Sequence, residues 1–168
     1  MPSAKKATPA ADAVDAIELL TDDHRRVDEM FEEYESTKDG ADDDDKEQRV
    51  VAICVELTVH ATVEEEIFYP AAREAMSDDD SDMLDEAEVE HSTVKELVDQ
   101  LSAMSPAEAL YDAKVKVLSE YVKHHVQEEE EKIFPALRET DLDLEALGAE
   151  IAQRKQELQE ELEEEMES

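Results

Sequence analysis

Two segments of this chain repeat one another. Set without gaps, HATVEEEIFYPAARE from His60 lies over HVQEEEEKIFPALRE from His125 with eight identities in fifteen. The match extends upstream, because Asp23-His24-x-x-Val27 resembles Glu90-His91-x-x-Val94, with the paired histidines 36 residues apart in the first half and 34 in the second. A chain made of two similar halves folds as two similar units that bury their apolar faces on each other. Each half here must also find a place for two histidines and a glutamate.

Composition decides what the units are made of. Two Gly, no Trp and 4% aromatic residues leave too few turn and strand formers for a β fold, whereas Glu, Ala, Leu and Asp abound. The reading is all-α. Gly- and Asp-rich breaks divide the chain into helices predicted near 13–38, 45–76, 82–104, 106–138 and 143–166. The fourth start has the fullest signature, with Ser105 as cap, Pro106 at the first position and Glu108 closing a capping box. Pro70 and Pro135 are expected to kink or end the last turns of the second and fourth helices.

Steps of three and four residues trace one apolar stripe per helix. The first runs Ala13, Ile17, Leu20, His24, Val27, Phe31 and Tyr34, and the second Val50, Ile53, Leu57, His60, Glu64, Ile67 and Ala71. The third carries Leu84, Ala87, His91, Val94, Val98 and Leu101, and the fourth Tyr111, Val115, Leu118, Val122, His125, Glu129 and Ile133. Each helix thus delivers one imidazole inward. Two such hairpins stack as an antiparallel up-down-up-down four-helix bundle, in which the six polar groups meet near mid-height. An additional C-terminal helix bears Leu144, Leu147, Ile151, Leu158 and Leu162 on a stripe broken at Lys155, able to pack on the bundle or pair with a second chain. The domain division is a tail over 1–12, the bundle over 13–140 and the acidic C-terminal helix over 141–168.

Burying four imidazoles and two carboxylates in an apolar seam costs several kcal/mol per unpaired ion unless a cation compensates. An i, i+4 pair shares one helical face, so His60 with Glu64 and His125 with Glu129 can each hold one metal or bridge two. Imidazole and carboxylate without thiolate suit iron, manganese or zinc, and a carboxylate-bridged pair in a bundle favours iron or manganese. The candidate ligands are His24, His60, Glu64, His91, His125 and Glu129.

With 50 Asp and Glu against 16 Lys and Arg the formal charge is -34, so nucleic acid and anionic lipid are not expected as partners. No segment nears the roughly 18 consecutive apolar residues of a membrane span. The single cysteine, Cys54, makes no internal disulfide, and a cytoplasmic location is the expectation.

These residues resemble the hemerythrin-like proteins, in particular the HHE cation-binding domains of bacteria and archaea. The pattern of His, His-x-x-x-Glu, His, His-x-x-x-Glu is matched by the six candidates over about residues 14–139, together with the trailing Tyr69-Pro70 and Phe134-Pro135. The resemblance implies a non-haem centre of two iron ions, with Glu64 and Glu129 as bridges, the histidines as terminal ligands and an added oxo or hydroxo bridge, with manganese or zinc less favoured. It implies binding of oxygen, nitric oxide or peroxide, as sensor, store or scavenger. Alternatives within the resemblance are an enzyme of peroxide breakdown or iron-centre repair, and a structural metal-binding bundle. Oxygen-carrying hemerythrins place a second histidine one turn after the third-helix one and end with His-x-x-x-x-Asp. Lys95 and Glu129 stand there instead.

Other residues near the motif have plainer readings. Glu65, Glu66, Glu128, Glu130 and Glu131 are expected in solvent. His124 lies on a boundary face shared with Lys114, Glu128 and Glu131, and Tyr121 and Cys54 read as core residues.

Overall fold

A computed structural model describes residues 14–167. Ala13 and the tail over 1–12 lie outside the described residues. Among the described residues every regular element is helical: α1 (Ala16–Thr37), α2 (Asp43–Val63), α3 (Tyr69–Ala75), α4 (Ser81–Ser102), α5 (Tyr111–Glu128), α6 (Phe134–Arg138) and α7 (Leu144–Glu167). No described helix is long and apolar enough to cross a membrane. The acid-rich breaks start helices as well as end them. Asp15 accepts from the Glu18 amide at 2.8 Å, Asp42 from the Asp45 amide at 2.8 Å, and Asp143 from the Ala146 amide at 3.0 Å.

Helix α1 packs on α2 and α5, and α4 on α5 and α2, which closes a ring of four and confirms the bundle. The extra helix α7 lies outside the ring against α1 and α2. There Leu147, Gly148 and Ile151 are buried. The approach is so close that a Cβ built on Gly148 would stand 2.4 Å from the Val14 carbonyl oxygen and 3.0 Å from the Ala16 nitrogen. A methyl group cannot fit without moving backbone, so Gly148→Ala is expected to lower the stability measured by urea unfolding by about 1–3 kcal/mol, as overpacking does elsewhere. An unchanged midpoint would mean that α7 can slide on α1 freely.

The fourth bundle helix begins later than its signature says. Glu108 does accept from the Ser105 amide, but the pair closes a turn instead of a helix. Leu110 comes next with φ 75, a left-handed conformation that breaks the helical path, and α5 starts at Tyr111. Capping-box chemistry stabilises a single turn as readily as a long helix, and only the backbone beyond it decides which forms.

The prolines do not end their helices. Between α2 and α3, residues Glu64–Phe68 form a π turn in which the Tyr69 amide donates to the Glu64 carbonyl. Between α5 and α6, Glu129–Ile133 do the same, with the Phe134 amide donating to the Glu129 carbonyl. A π turn holds one residue more than an α turn, and its extra width accommodates Pro70 and Pro135, which lack an amide hydrogen and crowd the carbonyl four residues back. The extra residue also rotates the helix beyond it. Phe68 and Ala72 are buried where the stripe predicted Ile67 and Ala71, and these two are half-buried.

Two apolar clusters fill the bundle. One gathers Leu20, Phe68, Leu84, Ile133, Phe134 and Leu137, and the other Phe31, Ile53, Leu57, Leu101, Tyr111 and Leu118. The polar layer falls between them.

Candidate metal centre

All six predicted residues are buried and come together in that layer. Two sets of three donors form, His24 with His60 and Glu129, and Glu64 with His91 and His125, each with one ligand atom per residue within 4.8 Å of the others. Either set could hold a metal ion. The His60 and His91 Nε2 atoms stand 2.9 and 3.2 Å from Glu64 Oε1, and the His24 and His125 Nε2 atoms 3.0 and 3.5 Å from Glu129 Oε1. The Nε2 atoms of His91 and His125 face each other at 3.0 Å.

Burial at this level normally comes with hydrogen bonds. Here both ring nitrogens of His24, Nε2 of His60, both oxygens of Glu64 and Oε1 of Glu129 have none, although several lie at ion-pair distance. Short separation without hydrogen-bond geometry is what donors show when they converge on a common point and not on each other. The donor set of nitrogens and carboxylate oxygens fits hard or borderline divalent and trivalent cations.

Metal-ligating imidazoles usually give their second nitrogen to a carboxylate or carbonyl, which fixes tautomer and ring angle. Two of the four have such a partner. Asp23 Oδ2 lies 3.0 Å from His60 Nδ1, and Glu90 Oε1 lies 3.3 Å from His125 Nδ1. At longer range Glu130 reaches His24 Nδ1 at 3.6 Å and Glu65 reaches His91 Nδ1 at 3.5 Å. These two contacts are ion-pair distances without a hydrogen bond; Glu130 is exposed, as expected, and Glu65 is half-buried. The resemblance between Asp23-His24 and Glu90-His91 held the signal for the closer pair, since a carboxylate recurs one residue before a histidine in both halves.

Tyr69 is the residue the stripe reading passed over. The π turn places its ring inward, and its hydroxyl donates to Glu129 Oε2 at 2.8 Å while lying 3.2 and 3.3 Å from the Nε2 atoms of His91 and His125. Its repeat mate Phe134 stacks on His24, ring centres 5.9 Å apart and 4° from parallel, with no hydroxyl to offer. Tyr121 is 47% exposed, so the core position expected for it is wrong: one turn before His125 it is the neighbouring Val122 that turns inward. His124 also lies outside the cluster, with Nε2 3.3 Å from Glu90 Oε2 and a side chain 64% exposed.

The charges order themselves around the layer. Burial alone would lower the pKa of His60, but Glu64 and Asp23 outweigh it and raise it to about 10. His125 is raised to about 11 against the same opposing burial, chiefly by Glu129 and Glu64. Burial would raise Glu64, yet His60 above all, with other neighbours, holds it well below the usual carboxylate range. Without metal, protons on two imidazoles partly neutralise the carboxylates.

Beside the histidines lies a cavity of about 30 Å³, bordered by His24, His60, Val27, Leu57, Val94 and Val126. A larger surface cleft between α1 and α5 shares His24, Val122 and Val126 with it.

The sequence model of the hemerythrin HHE cation binding domain matches residues 15–137. The chain belongs to that family. As an HHE domain it shares its fold with a hemerythrin HHE cation binding domain-containing protein from Mycobacterium kansasii, with TM-score 0.75 and 21% identity, over 92% of this chain and 93% of the other. A relative from Nostoc sp. that is described as a DNA nickase is 32% identical over 122 residues, 72% of this chain and 33% of that protein. The matched part of this HHE chain thus spans about a third of the length of the Nostoc relative.

Proposed function

We propose that this HHE domain holds two iron ions through His24, His60, Glu64, His91, His125 and Glu129, and that it binds oxygen, nitric oxide or peroxide there as sensor, store or scavenger. One observation carries the reading: two sets of three buried nitrogens and carboxylate oxygens converge beside a small apolar cavity, and among them the Nε2 atoms of His24 and His60, Glu129 Oε1 and both oxygens of Glu64 have no hydrogen bond. A site needs about 10–15 Å³ of such space for one water, so about 30 Å³ suits a molecule of two or three atoms. Iron would supply reversible redox chemistry and an open coordination position for that molecule. The valines keep bulk water away, and the Tyr69 hydroxyl, held by Glu129, is a hydrogen-bond donor to that side of the centre.

The DNA nickase name belongs to a protein about three times as long as the part matched. A formal charge of -34 repels a phosphate backbone, so nicking is not carried over to this chain.

Metal analysis with spectra recorded under nitrogen, air, nitric oxide and peroxide tests the proposal. The expected result is two irons per chain, near-ultraviolet bands of a bridged ferric pair and a spectrum that responds to at least one of the three molecules. A chain that takes up zinc in preference to iron, and whose iron form ignores all three, would support a purely structural role instead.

A further inference from the structure

The residue that interrupts the apolar stripe of α7 is not turned to solvent. The Lys155 side chain is 15% exposed and its Nζ donates to Asp23 Oδ1, while Asp23 itself is 2% exposed and uses its other oxygen on His60 Nδ1 at 3.0 Å. A line of direct contacts therefore runs from the outer helix to a donor of the proposed centre. Next to Lys155, Arg154 donates through Nε to Glu66 Oε2 at 2.8 Å, so α7 also grips the π turn two residues beyond Glu64.

The second half lacks this line. Glu90, the repeat mate of Asp23, holds His125 Nδ1 at 3.3 Å, but its free oxygen meets the exposed His124, and α7 lies on the far side against α1 and α2. The other cation near Asp23 is Arg26, with Nη1 at 3.7 Å on a side chain 47% exposed, too far and too solvated to replace a buried ammonium.

We propose that Lys155 is a positioning residue that makes the two metal positions unequal: through Asp23 it fixes the His60 ring, which is a donor in the set with His24 and Glu129 and only a neighbour, at 2.9 Å from Glu64 Oε1, of the set with His91 and His125, and so governs the first position more strongly than the second. The inference rests on the two-metal reading above. Without the ammonium, the Asp23 carboxylate loses its buried counter-charge and is drawn toward Arg26 and solvent, which leaves His60 free to rotate. Outer partners of this kind typically change metal affinity by about 10–100-fold.

The test tracks the release of both irons from the full-length loaded protein into an excess of chelator. In Lys155→Met, which keeps the length of the stem, one iron is expected to leave about 10–100-fold faster than in the parent while the other changes its rate far less. Lys155→Arg should restore much of the slow release, and in a chain that already carries His60→Ala, Lys155→Met should change nothing further. Equal acceleration of both ions, or of neither, overturns the proposal, and so does a further loss in the His60→Ala chain, because each would make Lys155 a general strut. A parent protein that holds one iron or none overturns the two-metal reading itself and the inference with it.

Discussion

Metal content is expected to fall from two ions per chain to almost none when His60 and His125 are replaced together by alanine. Each substitution takes one donor from one set, leaving His24 with Glu129 on one side and Glu64 with His91 on the other. Two donors do not hold an ion against solvent when the remaining positions are filled by water, and loss of a direct ligand should exceed the roughly 100-fold cost of losing an outer partner. His124→Ala serves as the control, since that side chain is exposed and touches only Glu90 among the site residues. Metal analysis by mass spectrometry reads the result, with circular dichroism to show that the bundle persists. Two ions retained in the double variant would put the metal elsewhere in the chain.

Removing metal should lower the melting temperature by on the order of 10 °C at pH 7, since a ligand at 1,000 times its dissociation constant adds about 4 kcal/mol to a domain of this size. The gap should widen with pH. His60 and His125 have folded-state pKa values raised to about 10 and about 11 from an ordinary 6.5, so the stability their protons give the metal-free protein is complete below about 6.5 and is lost as pH rises through 10 to 11. Glu64 is shifted the other way, so its contribution is present above its ordinary value of 4.5 and is lost as pH falls through its lower folded value. Ligated imidazoles carry no such protons, so the loaded protein should keep its melting temperature between pH 7 and 10 while the metal-free form declines. Parallel scanning calorimetry of the two forms decides, and curves that fall together would show that the imidazole protons are not what holds the empty centre.

Much of this centre can be read from the chain because its donors sit on helices whose phase is set by neighbours. Leu20, His24 and Val27 share a face whatever the rest of the fold does, and the same holds for Leu57 with His60 and for Val122 with His125. The reading fails where the period changes. Three consecutive glutamates before an aromatic-Pro pair give no signal of a π turn in a stripe analysis, so the burial of Phe68 in place of Ile67 and the inward swing of Tyr69 escape it. The start of α5 escapes for a different reason, since the capping pair is genuine and it is the left-handed Leu110 that spoils the helix. Lys155 is legible only as a defect. One charge on an apolar stripe can be an interruption or a buried contact, and its partner Asp23, 132 residues earlier, is fixed by packing alone.

Among the described residues each set of three donors draws on both halves of the molecule. His24 and His60 group with Glu129, and His91 and His125 with Glu64, while His60 and His125 also stand 2.9 and 3.5 Å from the glutamate of their own hairpin, so the two carboxylates tie the hairpins together. A solitary hairpin would be chemically unfinished, but two identical copies facing each other would finish both sets at once. The present chain has the form of such a dimer made covalent through the short segment between α3 and α4. In a dimer of identical copies every substitution is made twice and the two sets of donors stay equivalent. Fusion lifts that restriction, and Tyr69 across from Phe134, like Lys155 where the other side has His124, shows the freedom in use: one protein can give two neighbouring sets of donors different surroundings.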